Sequence, residues 1–216
     1  MYRIAFFSTA VRLLFTFLIF YPALSFSQSW NNQFTGQAHL FGVHFLDAQN
    51  GWAAGNRGYF LHTSNGGNDW NRQNTGFADW DYTSIRFADA NHGMATINNL
   101  PSRFNLSITT NGGAMWSGQM IGLGYELNSL AFVDSNHAWI AGSEGIYCST
   151  NSGLNWTVQV ANDMFRKIVF VDTSYGWALN DLWDVYRTSN GGRNWSSQSL
   201  SPGNYLSIAF ADTNNG

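Results

Sequence analysis

Ten side chains in this 216-residue sequence combine the residue types that bind ligands or do chemistry: Asp79, Trp80, Asp81, Tyr82, Arg103, Glu126, Arg166, Asp181, Trp183 and Asp184. They fall into two richer clusters, Asp79-Trp80-Asp81-Tyr82 and Asp181-Leu182-Trp183-Asp184, with Arg103, Glu126 and Arg166 between them. A Trp face is an apolar platform for a sugar ring or a peptide side chain, and flanking carboxylates and guanidinium groups fix its orientation. Opposed carboxyl groups are also what glycosidic cleavage needs. The competing reading is that both Trp residues cap the ends of neighbouring strands.

Other chemistry finds less support. His92 and His137 occupy a position filled elsewhere by Asn50, Tyr175 and Asn215, which marks a turn. No two His fall at metal-ligand spacing, so neither a metal nor another cofactor is expected. Cys148 is the single cysteine, so it has no intrachain disulfide partner. It aligns with His62, Ile108 and Arg187, a mixed set that predicts a half-exposed strand position. Asn105, Asn155 and Asn194 open N-x-S/T triplets, two of them inside a recurring motif.

The elements that must position the ten residues are repeated. The octapeptide TSNGGNDW (63–70) returns as TTNGGAMW (109–116), STNSGLNW (149–156) and TSNGGRNW (188–195). Its third residues are Asn65, Asn111, Asn151 and Asn190, spaced by 46, 40 and 39. In step with it runs [VIL]-x-F-x-D: VHFLD (43–47), IRFAD (85–89), LAFVD (130–134), IVFVD (168–172) and IAFAD (208–212). GWAAG (51–55), GMATI (93–97), AWIAG (138–142) and GWALN (176–180) follow the first four Asp residues, and W-x-x-Q closes each octapeptide. One more W-x-x-Q, WNNQ, stands at 30–33.

Each unit reads as four strands. Strand A carries the period-two V-x-F pattern, B is the GWA segment, C precedes the octapeptide, and D starts at its Trp. Four antiparallel strands every ~40 residues predict an all-β fold, a β-propeller. The octapeptide is then the C–D turn. Asn tolerates left-handed backbone and bonds nearby N–H groups. Gly67, Gly113, Gly153 and Gly192 fall where positive φ is expected. Trp70, Trp116, Trp156 and Trp195 are expected to bury their rings between blades. The A–B and C–D turns share one end and are nearly uniform. The B–C and D–A loops share the other end and diverge. The ten candidate residues all lie at the divergent end, where function is expected.

The octapeptide resembles the Asp-box, the bacterial neuraminidase repeat, with Asn in the place of its usual Asp. The longer string F-x-D…GWA-x-G…T-x-NGG-x-x-W-x-x-Q resembles the photosystem II assembly and stability factor propellers and related bacterial proteins. That resemblance spans residues 30–216 and implies a non-catalytic scaffold that binds protein partners, built as a seven-bladed ring. On that count the chain reads as a fragment: four full blades, a lone D strand at its start and a lone A strand at its end. The Asp-box likeness offers an alternative, a sialidase-like glycoside hydrolase, or a cell-surface carbohydrate-binding or adhesion protein. A sialidase site needs an Arg cluster, a Tyr nucleophile and a nearby Glu. The Arg-Ile-Pro element that usually marks the first of those Arg residues is absent, and the only two Glu are Glu126 and Glu144.

Composition bounds the partners. Arg3 and Arg12 precede the run LLFTFLIFYPALSFS, which ends in the small residues Ser25 and Ser27. This predicts a signal peptide at 1–27, a propeller segment at 28–216, and a secreted, periplasmic or cell-surface location in a bacterium. Pro22 and the shortness of the run argue against a retained membrane anchor. Beyond residue 27 stand eight basic and thirteen acidic side chains, a balance that disfavours nucleic acid. A protein or a glycan is the expected partner.

Overall fold

The computed structural model describes residues 38–77, 79–98, 105–122 and 126–216. The expected signal peptide, the WNNQ strand and Arg103 lie outside the described residues. Sixteen strands form four antiparallel four-stranded sheets, each pairing in sequence order. The first blade is β1 (Leu40–Phe45), β2 (Gly51–Gly55), β3 (Phe60–Thr63) and β4 (Asn71–Arg72). The second is β5 (Tyr82–Phe87), β6 (Gly93–Ile97), β7 (Leu106–Thr109) and β8 (Ser117–Gln119). The third is β9 (Leu127–Phe132), β10 (Ala138–Gly142), β11 (Gly145–Ser149) and β12 (Thr157–Ala161). The fourth is β13 (Phe165–Phe170), β14 (Gly176–Asn180), β15 (Asp184–Thr188) and β16 (Ser196–Ser199). The first strands of successive blades lie side by side, β1 on β5, β5 on β9 and β9 on β13. This is the β-propeller arrangement, all-β, with no helix among the described residues.

The apolar core is divided into three seams, one for each pair of neighbouring blades. The first seam joins Trp52, Ala54 and Phe60 to Tyr82, Ile85, Phe87 and Trp116. The second joins Met94 and Leu106 to Leu127, Leu130 and Phe132. The third joins Trp139, Ile146 and Cys148 to Phe165, Ile168 and Ala178. Two sequence motifs meet at the first and third seams, while the second has Met94 in the place of the Trp. The GWA Trp stacks flat on the F-x-D Phe of the next repeat: Trp52 on Phe87 at 3.6 Å, Trp139 on Phe170 at 3.7 Å and Trp177 on Phe210 at 3.8 Å. The octapeptide Trp meets the Phe of its own blade edge-on, Trp116 on Phe87 at 5.8 Å and Trp195 on Phe170 at 5.9 Å. Burying one such ring contributes roughly 4–6 kcal/mol of transfer free energy before the entropy of ordering it. A blade alone would expose these rings, so neighbours stabilise one another.

Cys148 lies in the third seam and is buried, contrary to the half-exposed position its aligned residues predict. Those aligned residues differ because the seams differ: His62 packs at 4.9 Å against Trp52. Burial pushes the Cys148 thiol up to about 11. The segment 205–210 carries the fifth V-x-F pattern but belongs to no sheet. No described strand is hydrogen-bonded to it, although Phe210 still stacks on Trp177 and Asp212 still caps the N–H groups of Asn214 and Asn215.

Candidate binding surface

The two ends of the blades are built differently, and the uniform end comes first because it fixes the frame. In every blade the Ser or Thr that opens the octapeptide accepts a hydrogen bond from the N–H of its fifth residue. The pairs are Thr63 with Gly67, Thr109 with Gly113, Ser149 with Gly153 and Thr188 with Gly192, all at 2.9 Å. The Oδ1 atoms of Asn65, Asn111, Asn151 and Asn190 each accept an N–H from four residues on, at 2.9–3.0 Å. Gly113 sits at φ +88°, and a Cβ there would lie 2.7 Å from Gln73 Oε1 of the preceding blade's W-x-x-Q. Glycine therefore answers both a left-handed backbone and a close approach between blades.

The A–B turns lean on the same end. Asp47 Oδ1 accepts the N–H groups of Gln49 and Asn50 at 2.7 Å. Hydrogen bonds from the Asn50 side chain, then from those backbone N–H groups, hold the Asp47 carboxyl below the usual range. Asp89 and Asp134 bind the imidazoles of His92 and His137 at 2.9 Å. Backbone bonds then join the two turns of each blade: Gly66 N–H to Gln49, Gly112 N–H to Asn91, Ser152 N–H to Asn136 and Gly191 N–H to Ser174.

At the divergent end the main chain still repeats. The residue after strand B donates its N–H to the residue preceding strand A or close to it: Asn56 to His39, Asn98 to Asp81, Ser143 to Glu126 and Asp181 to Met164. A bulge opens strand A in each blade, at Phe41, Thr83, Asn128 and Arg166. A bulge re-aims the side chain that carries it. Thr83 and Asn128 point onward and donate to the Leu127 and Phe165 carbonyls of the next blade, at 2.7 and 2.9 Å. Arg166 instead pairs with Asp181 of its own blade.

The ten candidate residues separate accordingly. In the first loop cluster, Tyr82 is fully buried in the first seam, and its hydroxyl donates to Thr75 at 3.1 Å. It is a core residue, not a member of a ligand surface. The reason lies in its register: it occupies the strand-A position held by Leu127 and Phe165 in other blades. Trp80 is half-buried, stacked on Phe77 at 3.6 Å and packed against the first seam. Asp81 accepts the Arg57 N–H at 3.0 Å and so holds a B–C turn. Asp79 and Glu126 are exposed, and the Glu126 N–H donates to Ser143 Oγ at 3.4 Å.

The fourth blade does gather its residues. Arg166, Asp181, Trp183 and Asp184 surround the short B–C loop between β14 and β15. Two residues outside the ten hold it. Asn180 is 1% exposed, and its Oδ1 accepts the N–H groups of Leu182 at 3.0 Å and Asp184 at 2.7 Å. Asp163 Oδ2 accepts from Asn180 Nδ2 at 3.1 Å and from the Tyr186 hydroxyl at 3.0 Å. Burial first, then the bond and the charge of Asp163, raise the Tyr186 hydroxyl above its ordinary value. The sequence did hold a signal for Asn180, because Asn ahead of a short acidic loop favours a side-chain-closed turn. Held this way, Trp183 adopts φ +70°, uncommon for an aromatic residue, and stays 41% exposed. Leu182 is 71% exposed and Met164 38%. The result is an apolar tip beside an Arg–Asp pair on a turn closed by the Asn180 side chain. Among the described residues no three His, Cys, Asp or Glu side chains group as metal ligands.

The chain matches the family described as photosynthesis system II assembly factor YCF48 over residues 23–161. No curated protein matches it. Among solved structures it is similar to YCF48 from Cyanidioschyzon merolae, at 16% identity, covering 83% of this chain and 92% of that one, TM-score 0.50. It is also similar to the GH74 xyloglucanase from Xanthomonas campestris, at 12% identity, covering 76% of this chain and 31% of the enzyme, TM-score 0.60. A third likeness is to PorZ, a bacterial surface component of the type-IX secretion system of Porphyromonas gingivalis, at 12% identity, covering 79% of this chain and 24% of PorZ, TM-score 0.54. At these identities the structures speak for the propeller fold alone. The family match spans well over half of the sequence, and the chain belongs to the family of the photosynthesis system II assembly factor YCF48.

Proposed function

We propose that the chain is an exported, non-catalytic propeller that binds a protein partner through its divergent loops, with the fourth blade's B–C loop as the main contact. The observation that carries this reading is Trp183: an exposed aromatic held at φ +70° by a buried Asn, beside exposed Leu182 and Met164 and the Arg166–Asp181 pair. An apolar anchor ringed by charge is the composition of a protein-binding hot spot. Membership of an assembly-factor family supports a scaffold role. Three of the candidate acids are engaged in holding loops: Asp81 by Arg57, Asp181 by Arg166, and Asp184 by Ser199 and Asn180. A glycosidase would instead need two carboxyl groups left to face each other across a cleft.

The test is a side-by-side screen of the protein against an overlapping-peptide array and a glycan array, with a reducing-sugar assay on xyloglucan. The proposal expects peptide binding that is lost in Leu182→Ser/Trp183→Ala, with no sugar released. Released sugar, or binding confined to glycans, would overturn it.

A further inference from the structure

Where the first strands of the blades come together, a cavity of about 440 Å³ is lined by segments of all four blades and by 207–210. Its wall is mostly apolar, with Leu130, Phe132, Ile168 and Phe170, but it also holds His44, Arg86 and Lys167. Strand-A alignment shows how unusual the two cations are. Arg86 stands where other repeats have His44, Ala131, Val169 and Ala209. Lys167 stands where they have Gly42, Ser84, Ser129 and Ser207. Neutral residues, most of them small, therefore satisfy the packing of this strand, and the fold does not require a cation at either place.

Both cations are half-buried, and no carboxylate lines the cavity among the described residues. Arg86 spends one donor on the Ile85 carbonyl at 2.7 Å, which leaves the rest of its planar fork unused by any described partner. Burial, followed for Lys167 by the neighbouring Arg86 charge, lowers both groups from their ordinary values. Two half-buried like charges facing one cavity repel each other, and an anion between them would reverse the sign of that interaction. The small Ala131 of the intervening blade leaves the room.

We infer that this axial cavity is a binding site for an oxyanion, a carboxylate or a phosphate, held between Arg86 and Lys167. An Arg fork binds such groups through two parallel N–H···O bonds, and Lys adds a point charge. Ser207 offers a hydroxyl donor on the same wall. His44 is not part of the charge: burial first, then Arg86, bring its pKa down to about 4, so it is neutral at physiological pH. The site is independent of the loop surface proposed above.

The experiment is thermal unfolding at fixed ionic strength in sodium chloride, sodium malonate or sodium phosphate. It is run on wild type, Arg86→Gln and Lys167→Gln, with calorimetric titration of each anion into wild type. A ligand that binds only the folded state raises the midpoint in proportion to ln(1 + [L]/Kd). The inference expects a saturable rise in malonate, phosphate or both, at least halved in each variant. Malonate alone would identify carboxylates as the ligand class, phosphate alone phosphates. In chloride the variants are expected to unfold at or above the wild-type midpoint, because a repulsion has been removed. No rise with either anion, equal rises in the variants, or variants that are less stable in chloride would each overturn the inference.

Discussion

At one end of the propeller the same side chains make the same bonds in blade after blade; at the other, only the main chain repeats. The octapeptide bond from the fifth-residue N–H to Ser or Thr is 2.9 Å in all four blades. The B–C and D–A loops share their backbone bonds but carry unrelated side chains, from Arg57 and Trp80 to Leu182 and Trp183. The difference teaches how a repeat fold divides its labour. A constant main-chain frame lets the side chains of one end vary freely, while the turns of the other end stay fixed.

The comparison breaks most visibly in the seams. Trp139 is 1% exposed, stacks on Phe170 and donates its indole N–H to the Gly191 carbonyl at 3.1 Å. Trp139→Ala is expected to lose about 3–5 kcal/mol in urea unfolding. A smaller effect is expected at the uniform turns. Gly113→Val forces a β-branched residue to φ +88° and against Gln73, with a loss of about 2–4 kcal/mol. An unchanged urea midpoint for Gly113→Val would remove the turn from the structural frame.

Acid sharpens the comparison on the axis. The folded pKa of His44, about 4, lies below its ordinary 6.5. The unfolded chain therefore takes up a proton first as pH falls. The stability His44 contributes is complete above pH 6.5 and is lost as pH drops through about 4. His62, lowered by burial, acts in the same direction. Stability measured from pH 7 to pH 4 is expected to decline less steeply in His44→Gln than in wild type.

Much of this frame is legible in the sequence because repetition reports structure directly. F-x-D, GWA and the octapeptide place four strands and two turns in register, while the stacking of the GWA Trp on the next repeat's Phe emerges only in the structure. What one copy of a loop cannot report is its surroundings. Trp80 and Trp183 look alike in sequence, each with acids beside it, yet Phe77 and the first seam cover one while Asn180 lifts the other into solvent. Tyr82 was readable as core, since its aligned residues are Leu127 and Phe165. The convergence of Arg86 and Lys167 was not, because only the side-by-side packing of the blades brings residues of the second and fourth repeats to one cavity.

The most direct test of this division is to remove the apolar tip and measure folding and binding on the same sample. Leu182→Ser/Trp183→Ala is examined by urea unfolding and by titration with the peptides that wild type binds. The account predicts an unfolding free energy within about 0.5 kcal/mol of wild type, as for exposed positions generally, together with loss of peptide binding. A loss of stability comparable to that of Trp139→Ala, or binding retained at wild-type strength, would contradict it.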